Sequence, residues 1–193
     1  MKGIDEIPRL AASCNGVMLL VNEPNAITIR PMRLEDAAAV AELARELAAV
    51  VEDPEPALNA SDLVRDGVGP DRWFDCLVAV AAGGIVGYAM MCRGYEAHIG
   101  KRRLWVGDLY VRKEARRMGV GRALMIAAAR QASTQKCEAV YWDLWRFNRA
   151  GRSFYESLGA AEIGDIAIWR VSSRSLSMHD GGLSPLDRDR HLK

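Results

Sequence analysis

The stretch from Leu104 to Trp145 constrains the fold more than any other part of the chain. It runs from an apolar segment, Leu104 to Val111, through a glycine turn into a helical segment from about Gly121 to Ser133, then into a second apolar segment, Ala139 to Trp145. Read by periodicity, this is one strand–helix–strand unit, whose two strands belong to one sheet with a helix on its face. Gly107 interrupts the first strand, where a glycine marks a bulge or a close backbone approach.

The flanking segments extend the same sheet. Cys76 to Ala81 and Ile85 to Met91 are apolar runs separated by Ala82, Gly83 and Gly84, which predicts an antiparallel hairpin. Ile27 to Arg30 reads as a strand stopped by Pro31, and Leu34 to Val50 carries apolar residues at helical spacing. Ser61 is placed to cap a short helix ending near Gly67 and Gly69. Asn148 to Leu158 reads as a helix closed by Gly159, and Ile166 to Val171 as a last strand. The expected class is therefore α/β (α+β), with a mixed central sheet of about six or seven strands flanked by helices. Residues 26–172 form the expected domain. Residues 1–25 are an extension with room for one short strand, and residues 173–193 are a polar, flexible tail.

Composition narrows the partners. A chain of 193 residues fits one domain, since single domains commonly hold about 100–200 residues. Lysines and arginines nearly balance the carboxylates, leaving a net charge of +1, so neither nucleic acid nor a membrane is an expected partner. Gly16 to Val21 is the longest early apolar stretch, far short of the roughly 20 residues of a membrane span. Cys14, Cys76, Cys92 and Cys137 never form a Cys-x-x-Cys pair, so no metal site or redox motif is indicated. Reduced, mostly buried thiols and a cytoplasmic location are the expectation.

The candidate ligand site is the turn Arg116-Arg117-Met118-Gly119-Val120-Gly121-Arg122, between the strand and the helix of the central unit. Small residues let main-chain N–H groups approach an anion, the helix N-terminus adds partial positive charge, and three guanidinium groups offer charge-assisted bonds to phosphate. A tight turn with solvated arginines is the plainer reading of the same residues. The turn is not a dinucleotide fingerprint, because Leu124 stands where a third glycine belongs, and no Gly-Lys-Ser/Thr follows as in a P-loop.

Arg116, Gly119 and Gly121 match the Arg/Gln-x-x-Gly-x-Gly/Ala signature, and the chain resembles the GNAT superfamily of N-acetyltransferases over about residues 26–171. Asn148, Phe154, Tyr155, Gly159 and Ala160 resemble that family's Asn...Phe-Tyr...Gly-Ala ending. Asp62 to Gly67, Cys76 to Ala79, Ile85 to Met90 and Ile99 to Lys101 resemble the diamine (spermidine/spermine) and thialysine acetyltransferase branch. The resemblance implies acetyl-coenzyme A as cosubstrate, lying between two splayed central strands, a small-molecule amine as acceptor, and a homodimer. It assigns cofactor contacts to Leu109, Tyr110 and Val111 on the strand, to the turn from Arg116 to Arg122, and to Asn148 and Gly151. It assigns Tyr155 as proton donor to the coenzyme A sulfur.

An alkyl ammonium has a pKa of about 10.4 and must lose a proton before it attacks a thioester. Asp108 is placed to hold the amine or accept that proton, or alternatively to cap or pair with an arginine. Asp143 and Glu52 are further acceptor-side candidates, with Asp143 facing the cleft on only one of two strand alternations. Gly107 stands where the polyamine branch has an acidic residue, and Val51 where it has another. These departures favour a small primary amine or amino acid analogue, and leave open a coenzyme A binder with little activity or a protein acceptor. Trp142, Trp145 and Trp169 read first as core, with a cation-binding wall as the alternative, and His98 reads as a loop residue.

Overall fold

A computed structural model describes residues 10–12, 18–20, 27–52, 58–81, 83–164, 168, 169 and 171. The chain divides into two compact units, Met1–Arg152 and Ser153–Lys193. The first holds a seven-stranded sheet in simple sequence order: β1 (Leu10–Ala12), β2 (Met18–Leu20), β3 (Ile27–Pro31), β4 (Asp75–Ala81), β5 (Gly84–Glu96), β6 (Lys101–Val111) and β7 (Ala139–Tyr141). Neighbours are antiparallel as far as β6, and β7 joins β6 in parallel. That parallel pair needs a crossover, supplied by α3 (Val120–Thr134).

Two apolar layers cover the sheet. On one face α3 packs Val120, Ala123, Leu124 and Ala128 against Leu77, Ala79, Ala89, Met91, Leu104 and Val106. On the other, α1 (Ala37–Val50) and α2 (Ala60–Gly67) cover Cys76, Val78, Tyr88 and Tyr110. The α1 stripe of Ala37, Val40, Ala41, Ala44 and Leu47 follows the three- and four-residue spacing of one helix face. A single 3-10 turn, Leu34–Asp36, leads into it, so the regular helix starts three residues later than its apolar spacing indicates. Buried Asp36 fixes that entry by accepting from the Arg33 N–H at 2.7 Å and pairing with Arg30 of β3.

Local sequence signals place most elements. The β4–β5 hairpin closes at Ala81↔Gly84, with Gly83 at φ 79° in the left-handed region that glycine tolerates. Asn59, and not Ser61, caps α2: its Oδ1 accepts from the amides of Ser61 and Asp62 at 2.9 and 3.1 Å. β5 and β6 run past their apolar cores into an exposed hairpin, where Glu96 pairs with Arg103 and the Arg103 guanidinium lies 4.5 Å from the Tyr141 ring centre. β7 is shorter than the apolar run from Ala139 to Trp145, because pairing with β6 ends at Trp105↔Tyr141. α4 (Arg149–Glu156) spans the boundary between the units, and Gly159 at φ 83° follows it as expected. The strand expected at Ile166 to Val171 and the tail fall largely outside the described residues, as does most of the extension.

Candidate functional site

The site begins with a change of phase in β6. Met90 pairs with Asp108 while Met91 pairs with Val106, so Gly107 is the extra residue of a β-bulge. Strict alternation would put Asp108 on the α3 face with Leu104 and Val106. The bulge instead returns Leu109 and Val111 to that face and turns Asp108 and Tyr110 toward α1 and α2. Beyond Trp105 the edge of β6 that faces β7 has no strand neighbour among the described residues. The main chain of Leu109, Tyr110 and Val111 lies along that opened stretch.

β6 delivers the chain to the glycine turn. After a 3-10 turn, Lys113–Ala115, Arg117 adopts φ 63° and Gly119 φ 83°, so the chain passes twice through the left-handed region before α3 starts. Gly119 is the N-cap and supplies no side-chain acceptor; the first intrahelical bond runs from the Ala123 N–H to the Gly119 carbonyl at 2.9 Å. The amides of Val120, Gly121 and Arg122 are therefore the helix's opening donors, directed out of its positive end. Val120 is buried and pins this turn to the core, while Met118 and the side chains of Arg117 and Arg122 are exposed.

Arg116 is exposed, but its side chain folds back onto the end of β6. Its Nε donates to the Val111 carbonyl at 2.9 Å and its guanidinium lies 5.6 Å from the Tyr110 ring centre. Its side chain thus braces the turn against the end of β6. The brace continues through the Tyr110 hydroxyl, which donates to Glu46 of α1 at 3.0 Å, and through Arg112, which donates to the same carboxylate at 2.7 and 3.0 Å. Arg112 and then Tyr110 hold the Glu46 carboxyl below the usual range, against an opposing effect of burial. Neither Glu46 nor Arg112 carries a motif. Both become visible only when α1 is packed on the strand end.

Asp108 has a different environment. Desolvation pushes its carboxyl above the usual range, the negative charge of Asp143 adds to the rise, and the hydrogen bond from the Tyr88 hydroxyl at 3.2 Å opposes it. Tyr88 is fully buried, and the Cys76 thiol, on the same face, is pushed up to about 12 chiefly by burial. No arginine pairs with Asp108 among the described residues, which removes the structural reading of an arginine partner. Asp143 is exposed in the chain just after β7. Glu52 sits exposed in the turn after α1 at φ 56°.

Asn148 and Gly151 work as a local unit. Asn148 Oδ1 accepts the Gly151 amide at 2.8 Å, and a Cβ at position 151 would lie 2.8 Å from the Asn148 side chain and 2.9 Å from that of Leu144. Tyr155 belongs to the second unit, half-buried, with its ring 5.0 Å from that of Phe154. Trp142 packs partly against the α3-side core, but Trp145 and Trp169 are 60% and 92% exposed, which overturns the core reading for those two. His98 is an exposed turn residue beside Glu96. Among the described residues there is no cluster of metal-ligating side chains, and no helix is long and apolar enough to cross a membrane.

The chain is similar to known proteins in both sequence and fold. Over 121 residues, 59% of the chain, it is 30% identical to the human spermidine/spermine N(1)-acetyltransferase-like protein 1, of whose length it spans only 17%. It is 26% identical over 152 residues to the thialysine N-epsilon-acetyltransferase of Bos taurus, covering 74% of the chain and 89% of that protein. The ribosomal-protein-alanine N-acetyltransferase of Brucella melitensis biovar Abortus 2308 superposes with a TM-score of 0.63 at 25% identity, over 75% of this chain and 99% of that one. The profile of the acetyltransferase (GNAT) family matches residues 39–160, a span that includes the bulged strand, the left-handed glycine and the Asn148 cap. On that match, the chain belongs to the acetyltransferase (GNAT) family.

Proposed function

We propose that the protein transfers the acetyl group of acetyl-coenzyme A to the primary amine of a small molecule, a diamine, polyamine or amino acid analogue, by direct attack. The observation that carries this reading is the opening of α3 beneath left-handed Gly119, an N-cap that brings no side chain over the helix end, at the end of a strand that has parted from its neighbour. A diphosphate fits the donors there: amides of Val120, Gly121 and Arg122, with the exposed guanidinium groups of Arg117 and Arg122 around them. Arg116 acts by bracing the turn, and Met118 and Gly119 keep it open. The opened edge of β6 offers main-chain groups of Leu109 to Val111 to an extended pantetheine arm, with Asn148 and Gly151 as its further contacts.

Acetyl-coenzyme A supplies the activated thioester. The protein supplies proton traffic and position. Asp108, with its carboxyl raised by burial, takes up the ammonium proton, and Asp143 adds a second negative charge near it for a cationic acceptor. Glu52 is a further acceptor-side group. Tyr155 donates a proton to the departing thiolate; its support is the Asn148, Phe154, Tyr155, Gly159 and Ala160 pattern, and a phenol of pKa about 10 is protonated at neutral pH. On the same reading residues 26–172 are the catalytic domain, working in the cytoplasm as a homodimer.

The test is acetyl-coenzyme A titration by calorimetry, with acetyl transfer to spermidine, thialysine and an alanine-ended peptide. Binding together with acetylation of a small amine supports the proposal. Binding without transfer to any acceptor would make the protein a coenzyme A binder, and transfer to the peptide alone would move the acceptor to proteins. Absence of binding would remove the reading altogether.

A further inference from the structure

We propose that Tyr88 is a positioning residue for acetyl transfer: its phenol holds Asp108 Oδ2 and leaves Oδ1 to meet the acceptor amine. The inference rests on the function proposed above and adds a residue to which the sequence assigns no role. Tyr88 sits within β5 with no solvent exposure, and its hydroxyl donates to Asp108 Oδ2 at 3.2 Å. Asp108 Oδ1 has no hydrogen-bond partner among the described residues. A buried phenol must place its O–H, because leaving a buried donor unmade costs more than the bond contributes. The Gly107 bulge brings the two groups to one face, since without the extra residue Asp108 would point to the α3 side.

Among the described residues no other group hydrogen-bonds Asp108. Asp143 acts on it only by like charge, and the Cys76 and Cys92 thiols, both raised by burial, stay neutral. From α1, Glu46 is taken by Tyr110 and Arg112. Burial and the Asp108 charge also raise the Tyr88 phenol well above its ordinary range, so it remains a donor throughout neutral pH. Tyr88 therefore fixes the carboxylate plane without exchanging a proton with it.

The full-length chain carrying Tyr88→Phe tests this, assayed with acetyl-coenzyme A and the faster of spermidine and thialysine. In parallel, the Asp108 carboxyl is titrated by NMR in aspartate-labelled protein, which needs no acceptor. The expected loss in kcat/KM is about tenfold, the size of one hydrogen bond to a charged group, with acetyl-coenzyme A affinity unchanged. The Asp108 titration and the acid limb of the rate profile should both move to higher pH, because the lost donor favoured the charged form. Tyr88→3-fluorotyrosine, which keeps the ring and strengthens the donor, should move both to lower pH, and decides the matter should the phenylalanine variant not fold. An Asp108 titration unmoved by either change overturns the inference. Asp108→Asn separates the two failures. If it leaves kcat/KM intact, the proposed proton acceptor is wrong and Tyr88 has nothing to position. If it abolishes turnover while both Tyr88 variants behave as the parent, only the role of Tyr88 falls.

Discussion

Glu46 and Asp108 are two carboxylates on one side of the sheet, both served by a tyrosine hydroxyl, and their remaining partners make them opposites. Glu46 takes three bonds from Arg112 and one from Tyr110, and its carboxyl is held below the usual range. Asp108 takes one bond from Tyr88, faces the charge of Asp143, and is raised by burial. One acid is satisfied and ties α1 to the end of β6. The other is left under-compensated beside the opened edge of the sheet. A neutral partner cannot offset desolvation as a guanidinium can, and that contrast separates a structural carboxylate from the one proposed to accept a proton.

The largest expected effect comes from erasing the proposed proton acceptor. Asp108→Asn keeps shape and size but cannot accept the ammonium proton, so kcat/KM should fall by roughly a hundredfold to ten-thousandfold, the usual worth of general acid–base catalysis. Acetyl-coenzyme A affinity by calorimetry should stay unchanged, since Asp108 lies away from the glycine turn in sequence and faces α1 and α2. A comparable loss from Glu46→Gln at saturating cosubstrate would break the distinction between the two acids.

Glu46→Gln is expected to act on stability instead. It leaves the Arg112 guanidinium without its charged partner, but the pair is about one-third exposed, at 33% and 32%, so the loss is discounted for solvent to about 1–2 kcal/mol. Thermal unfolding should show a fall in Tm of a few degrees at neutral pH. Because the folded-state pKa of Glu46 is depressed, its contribution is present above the unfolded value of about 4.3 and lost as pH falls through the folded one. The gap between Glu46→Gln and the parent should therefore close in acid.

The same scan gives the opposite sign for Asp108. Its folded-state pKa is raised, so its contribution to stability is full below the unfolded value of about 3.9 and is lost as pH rises through the folded one. Asp108→Asn should be more stable than the parent at neutral pH, by about 1 kcal/mol or a Tm gain of roughly 2–4 °C, and the gain should vanish in acid. Equal Tm values at neutral pH would mean that the ionised carboxylate carries no desolvation penalty, and the contrast with Glu46 would dissolve.

What the sequence revealed and what it concealed divides along the same line. The Gly83 hairpin, the strand–helix–strand unit and the left-handed Gly119 at a helix start are local, decided by neighbours within a few residues, and each could be read from the chain. Tyr88 and Asp108 are 20 residues apart, Glu46 and Tyr110 64, and Glu46 and Arg112 66, so their pairing depends on strand register and helix docking. Asp108 was legible as a residue but not its environment, which needs the bulge to set its face. Arg116 fitted the motif, yet its side chain is spent on Val111 and Tyr110, a detail that turn geometry alone decides. The end of β7 and the exposure of Trp145 follow from where pairing stops at Tyr141, and no periodicity in the run to Trp145 marks that point.

The smallest expected effect concerns the bulge that creates the contrast. Gly107 lies outside the left-handed region, and a Cβ added to it would meet nothing within 4 Å. Neither backbone strain nor crowding in the protein therefore demands glycine there. The register on both sides, Met90↔Asp108 and Met91↔Val106, is held by apolar side chains packed on the sheet, so the bulge should survive a methyl group. Gly107→Ala removes unfolded-chain freedom and should stabilise the protein by about 0.4–1 kcal/mol, read as a small rise in Tm. The Asp108 carboxyl should titrate as in the parent, because its face and its bond to Tyr88 are unchanged. An Asp108 titration raised further would mean that the extra residue had been expelled and the acid had turned away from Tyr88 toward the apolar α3 side. A Tm that rises while acetyl-coenzyme A affinity falls would instead assign the space over position 107 to the bound thioester arm, the one demand for glycine at that point that the protein alone does not make.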